Sequence, residues 1–191
     1  MNSGGAGKAW VVVLAVLIAP GCSTYAVSRY AVSAPNVAAL RMLRGHPINV
    51  GAFSAAEEVS KIDCRAVGPI KTPDAESFTE YVRAALISEL EMAEVYSVTA
   101  PVTLTGTLDQ IDFSSVSGQW NLGLTVVSSN GKRLRVDETY GFTSSYFGET
   151  ACNQTAQAFM PGVQDLIAKL VKDPAFRSLV ASPQGTLPPA S

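Results

Sequence analysis

The chain has 191 residues, with 14 Lys and Arg against 16 Asp and Glu, a single histidine and a net charge of −2. A balance so close to neutral, with no Lys/Arg block and no basic face, gives no nucleic-acid partner. One histidine leaves little for a His-based catalytic or metal site, while 47% hydrophobic residues are ample for a packed core.

In chain order, Lys8 leads into an apolar run over residues 11–19, which closes on Pro20, Gly21 and Cys22, with Ser23 and Thr24 following. A positive charge, about ten apolar residues and then small residues is the order of a secretory signal peptide. Because the small residues end on Cys22, the segment resembles the lipobox of bacterial lipoproteins. Ala19 and Pro20 stand where most lipoboxes have Leu and a small Ala or Ser. The resemblance implies cleavage before Cys22, a diacylglycerol on its sulfur and a fatty acid such as palmitate on the new amine. Two other readings compete. A retained membrane helix would need about 20 apolar residues, and an ordinary signal peptide would leave Cys22 a spare thiol. Ser23 in place of the Asp linked with inner-membrane retention points to the outer membrane, with the body facing the periplasm. The resulting division is signal peptide 1–21, lipidated tether and short helix 22–47, periplasmic domain 48–181 and disordered tail 182–191.

Removing residues 1–21 leaves 170, the size of one domain. Residues 23–34 carry little periodicity and read as tether, with 30–33 able to join a sheet edge. Pro35 and Asn36 open a short helix through Arg44, with Asn36 as N-cap and Gly45 as stop. Its buried side would be Val37, Leu40 and Met42 or Leu43. His46-Pro47 forces extended backbone, and 48–53 reads as a strand. Thr72 as cap and Pro73 at the first helical position announce a long helix. Its stripe is Phe78, Val82, Leu86 and Leu90, with Ala85 and Ala93 alongside.

Three strands follow. Val102, Leu104, Gly106 and Leu108 alternate, but Ile111 and Phe113 fall out of phase, which predicts a bulge near Asp109 and Gln110. Trp120, Leu122, Leu124 and Val126 line the next strand, and Leu134, Val136, Tyr140 and Phe142 the one after. Asn130-Gly131 is normally a two-residue turn. That register would set Val126 against Arg135 and Leu124 against Asp137. A three-residue loop, Ser129-Asn130-Gly131, pairs Val126 with Leu134 and Leu124 with Val136 instead, with Gly131 left-handed. It leaves Glu138 on the apolar face opposite Leu122. A last helix from about 150 to 171 carries Phe159, Val163, Leu166, Ile167 and Leu170, with a kink or restart expected at Pro161. Asp173-Pro174 ends it, and 176–180 makes one more turn.

The order strand, helix, three strands, helix, with one apolar face per element, gives an α+β two-layer sandwich. Its sheet is mainly antiparallel, with two long helices on one face. Over about residues 48–180 this order, with the lipobox, resembles a domain of outer-membrane-associated proteins: the lipopolysaccharide-assembly lipoprotein, the TolB N-terminal domain and the curli-secretion lipoprotein. The resemblance implies an assembly or secretion role in the envelope.

With Cys22 lipidated, Cys64 and Cys152 remain, an even number in an oxidising space, and read as a disulfide. Two free buried thiols, or a metal pair with no His or Cys nearby, are the alternatives. A catalytic set is not assembled. His46 before Pro47 reads as a solvated loop histidine, no G-x-S-x-G elbow occurs, and Glu57-Glu58 and Asp137-Glu138 are ordinary surface neighbours. Asn153-Gln154-Thr155 matches a glycosylation acceptor but reads as a helix's first turn. Tyr146 and Phe147, before Gly148, could form an exposed contact patch or pack over the sheet edge. No metal or cofactor is expected. The expected role is a non-enzymatic accessory, bound to the membrane by its lipid and to an envelope protein or to itself. The alternative is a lipid- or glycan-binding module using the open sheet face of Asn121, Gly123, Thr125, Arg135, Asp137 and Thr139.

Overall fold

The computed structural model describes residues 24–182; Cys22, the signal segment and most of the expected disordered tail lie outside them. The architecture is α+β. A four-stranded sheet runs β2 (Ile48–Ala55), β5 (Val102–Ser114), β6 (Gln119–Ser128) and β7 (Arg133–Gly141), spatially in that order. The β5-β6-β7 meander is antiparallel, whereas β2 joins β5 in parallel. A parallel pair needs a crossover. Helix α2 (Phe78–Met92) lies within that connection.

The strand registers carry both features expected from parity. Leu108 faces Leu124 and Gln110 faces Gly123, so Asp109 is the extra residue of a bulge. Val126 faces Leu134 and Trp120 faces Tyr140, while Ser128 N–H donates to Lys132 O and Gly131 stands at φ +84°. The apolar face this creates is covered by α2 and by α3 (Gly148–Lys172). Phe78, Trp120 and Phe159 meet at the centre, with Phe78–Phe159 centroids at 5.0 Å and Trp120–Phe159 at 4.9 Å. Trp120 Nε1–H donates to Thr155 O at 2.8 Å, so the largest buried side chain leaves no orphaned donor.

Four details depart from expectation. First, the simple six-element order is not what the chain forms. Two short strands, β3 (Lys61–Cys64) and β4 (Gly68–Lys71), stand between β2 and α2 and make a second sheet in the order β1-β4-β3 with β1 (Tyr25–Ala26). Second, residues 25–33 are not a free tether; they form a strap bound across the helices. Tyr81 Oη–H donates to Ser28 O, Gln157 Nε2–H to Ala26 O and Gln164 Nε2–H to Ala31 O. Within the strap it is Tyr25–Ala26, not 30–33, that joins a sheet.

Third, both caps move. Helix α1 (Ala34–Leu40) is capped by Ser33, with proline in its first turn, and Asn36 turns inward to donate to Gln164 O at 2.9 Å. The long helix is capped by Ser77, whose Oγ accepts from Glu80 N, the spacing of a capping box. Pro73 opens only a short turn (Pro73–Ala75), broken by Asp74 at φ +55°. Fourth, α3 passes through Pro161 as one helix. The burial of Phe159, Val163, Leu166, Ile167 and Leu170 outweighs the roughly 3 kcal/mol such a proline costs. Gly162 beside it lets the helix approach Tyr140, whose Cβ would stand 3.3 Å from a Cβ there. The buried side of α1 is as expected: Val37 and Leu40 are buried and, of the two residues offered after them, Leu43 packs against the core while Met42 is exposed.

Candidate functional site

One pole of the molecule gathers the disulfide and the aromatic pair that the sequence points to. It consists of the β3–β4 turn, the β5–β6 turn, the loop after β7 and the first turns of α3. Cys64 and Cys152 are bonded, Sγ to Sγ at 2.09 Å and 88 positions apart in sequence. Both are buried. The bond staples the β3–β4 hairpin to the start of α3, which begins immediately after Phe147.

The hairpin turn beside it is strained. Arg65 and Ala66 stand at φ +48° and +56°, a pair of left-handed positions that hairpins normally fill with Asn and Gly. Non-glycine residues held there cost about 1–2 kcal/mol each. Arg65 explains what holds the turn. Its Nε donates to Ser115 Oγ at 2.9 Å, Nη2 to Ser115 O, and Nη1 to Tyr146 O at 3.1 Å. One guanidinium thus ties the β3–β4 turn to both neighbouring loops. Ser144 Oγ–H donates to Ser115 O as well, and Phe142 N–H to Gly118 O. Gly118 is left-handed, at φ +71°, and a Cβ there would strike Phe142 O.

This rigid frame presents apolar side chains to solvent. Tyr146 is 95% exposed, Phe147 76% and Val116 82%. The two aromatic rings pack edge-to-face on each other, centroids 6.3 Å apart. The expectation that this loop packs over the sheet edge is not met; the patch is open. Val116 and Arg65 escaped the sequence argument. An apolar residue inside Ser114-Ser115-Val116-Ser117-Gly118 was the available signal for the first. The second had only its place next to Cys64.

Of the remaining candidates, Glu138 and the open sheet face have structural partners. Glu138, opposite Leu122 and 8% exposed, is paired with Lys169 of α3, Nζ to Oε2 at 2.9 Å. Its place on the apolar face is therefore a rim ion pair, and Lys169 Nζ donates to Asp137 O too. His46 is exposed, with its backbone N–H on Leu43 O. Asn153 lies exposed in the early part of α3. The open sheet face is polar and self-bonded: Arg135 pairs with Asp137 and Asp109, Thr125 donates to Asp109, and Asn121 bridges Asp112 and Thr139. Arg135 holds the Asp137 carboxyl below its ordinary range.

A second buried cluster fixes the strap. Glu89 is fully buried, and its Oε1 accepts from Tyr30 Oη at 2.6 Å and Ser33 N at 2.8 Å. Burial, then the hydrogen bond to Glu89, pushes the Tyr30 phenol far above its ordinary value. On the outside, Arg29 grips Asp74 with two nitrogens, at 2.6 and 2.8 Å, and lowers that carboxyl's pKa.

Among the described residues no three His, Cys, Asp or Glu side chains converge to hold a metal, and no helix is long and apolar enough to cross a membrane. No family model matches the chain, and no curated protein matches it. Among solved structures it is similar to a "putative lipoprotein" from Caulobacter crescentus CB15. The two are 14% identical over 79% of this chain and 100% of that one, with a TM-score of 0.40. At that identity and score the likeness carries no argument about fold or function.

Proposed function

We propose that this chain is a lipid-anchored protein of the cell envelope, held through Cys22 and acting as a non-enzymatic accessory that docks on an envelope complex or on copies of itself. The observation that carries this is the junction at Cys22. A leader with Lys8, an apolar run and Gly21 ends on a cysteine only three positions before the first strand at Tyr25. The Cys64–Cys152 bond supports export, since such bonds persist in oxidising compartments. Where the cell has two membranes, Ser23 after the cysteine favours the outer one, with the body in the periplasm. Acyl chains contribute about 0.8 kcal/mol per buried CH₂, so two or more hold a protein stably.

Three measurements test the proposal. Mass spectrometry of the mature N-terminus should find a diacylglyceryl cysteine, and Cys22→Ala should move the protein out of the membrane fraction. Affinity capture from crosslinked envelopes should recover a defined partner or a homo-oligomer. A lone monomer in every preparation would refute the accessory role.

A further inference from the structure

We infer that the pole bearing Val116, Tyr146 and Phe147 is a membrane-contact surface, whose ligand is the headgroup–acyl boundary of the bilayer that carries the anchor. The inference rests on the proposed lipidation of Cys22 and adds to it an orientation and a second attachment.

Chain length limits where an anchor on Cys22 can sit. Strand β1 starts at Tyr25, whose backbone is registered on Ile70 of β4, and it runs parallel to β4. The chain therefore approaches β1 from the side of Gly68 and the Arg65–Val67 turn. Cys22 precedes Tyr25 by three positions, a reach of at most about 11 Å even when fully extended. The strap beyond Tyr25 is bound to the helices, so no slack is available from that side.

The exposed patch stands against the same turn. Arg65 donates to Tyr146 O, and Val67 lies 3.4 Å from the position of a Cβ on Gly148, directly after Phe147. A diacylglycerol on Cys22 must draw this end of the body to the bilayer, because the opposite end lies a strand's length away. Met42 marks that far pole, where it lines a groove with Phe176 and Arg177 of α4 (Phe176–Leu179). Asn130 of the β6–β7 loop joins the same end, its Nδ2 donating to the carbonyls of Ser178, Leu179 and Ala181. Strand β6 spans 10 residues between the two poles, about 30 Å.

The chemistry fits that boundary. Tyr is an amphipathic ring of the kind that collects at membrane interfaces, Phe is among the residues that interfacial elements sink into the headgroup–acyl boundary, and here both are presented rather than buried. Arg65 spends its guanidinium on Ser115 and Tyr146, and Glu149 follows in the first turn of α3. The patch thus carries no free basic excess, and the surface suits zwitterionic headgroups without help from anionic lipid. The frame is also rigid where rigidity would serve insertion: the disulfide, Arg65 and the Gly118 turn hold three loops whose tips carry the apolar groups.

The test uses the mature lipidated protein, made through its own export route and reconstituted on vesicles of phosphatidylcholine brominated along the acyl chain. Once the leader is cut, Trp120 is the sole native tryptophan, and it is buried. Phe147→Trp places a reporter in the patch, and Met42→Trp places one at the far pole; both positions are exposed, so neither substitution loads the core. Emission from the patch reporter should shift to the blue and fall by about half or more, as expected for a ring roughly 5–10 Å into the boundary. The far-pole reporter should be unchanged, and the quenching in the patch should persist in high salt. If mass spectrometry shows the lipid on Cys22 but the Phe147→Trp protein is unquenched, the membrane-contact inference is overturned while the anchor stands, and the patch is left for a protein partner. Equal quenching of both reporters would overturn the orientation. An unmodified Cys22 would overturn the anchor and this inference together.

Discussion

The disulfide allows the sharpest energetic prediction. Breaking Cys64–Cys152 releases a loop whose ends are 88 positions apart; the chain-entropy relation assigns that closure about 4.6 kcal/mol at 25 °C. Both cysteines are buried, so Cys→Ala variants would add small voids to the loss. Comparing oxidised with reduced native protein avoids those voids, because reduction removes the constraint and keeps the sulfur atoms. With a urea m-value of about 2 kcal/mol/M, the midpoint should fall by about 2 M on reduction. The Cys64→Ala/Cys152→Ala double variant should fall slightly further. A midpoint shift below about 0.5 M would refute the entropic argument, since about 4.6 kcal/mol could not then reside in the unfolded chain. Reaction of two thiols with an alkylating reagent in the denatured, unreduced protein would refute the pairing itself.

Three further outcomes follow from named contacts. Lys169→Met should destabilise by about 2 kcal/mol by stranding the Glu138 carboxylate, 8% exposed, whereas Glu138→Leu should change stability by less than about 0.5 kcal/mol, because half-exposed Lys169 keeps water and Asp137 O; urea titrations of the two variants check the asymmetry. Glu89→Leu removes the acceptor of Tyr30 Oη and Ser33 N–H and should cost about 2–4 kcal/mol, with early proteolysis in 25–33, while Glu89→Gln should cost about 1 kcal/mol; equal losses would show that the strap does not depend on that oxygen. Asp74 should titrate below the ordinary carboxylate value by NMR and return to it in Arg29→Gln. A folded pKa below the unfolded one gives stability present above the unfolded value and lost as pH falls through the folded one; both side chains are exposed, so the contribution is small and fades with salt.

What could be read from the sequence was set by periodicity. Side chains alternate with period two, so one extra residue at Asp109 or a wrong loop length at Asn130-Gly131 shifts every apolar residue to the wrong face; both features follow from parity alone. The same logic placed Glu138 on the apolar face. It could not supply Lys169, because which helix residue meets which strand residue depends on the tertiary approach of α3. The second sheet escaped because its strands have two to four residues and its hairpin lacks Asn-Gly, using Arg65-Ala66 held by contacts from distant loops. The strap escaped for a related reason. Its backbone groups bond to the side chains of Glu89, Gln157 and Gln164, whose own positions say nothing of a partner 56 to 133 residues away. The cap at Ser77 was readable in Ser77-Phe78-Thr79-Glu80, but Thr72-Pro73 offered an equally good start upstream. The chain resolved that competition by the left-handed turn at Asp74.

The strap changes what an anchor at Cys22 would do. A flexible tether of about a dozen residues would let the body sample a hemisphere about 20 Å in radius, and no particular face would meet the bilayer. With residues 25–33 fixed to the helices, only Ser23 and Thr24 stand in sequence between Cys22 and the bound strand, so an anchor there would act with the surface around it as one unit. Every device that stiffens this pole then has a common consequence. The disulfide ties the hairpin to α3, Arg65 ties that hairpin to two loops, and the left-handed turn at Arg65-Ala66 persists because those contacts overdetermine it. What the strained turn and the long-range bond hold in place is a set of three exposed apolar side chains, beside the point where the chain leaves for Cys22.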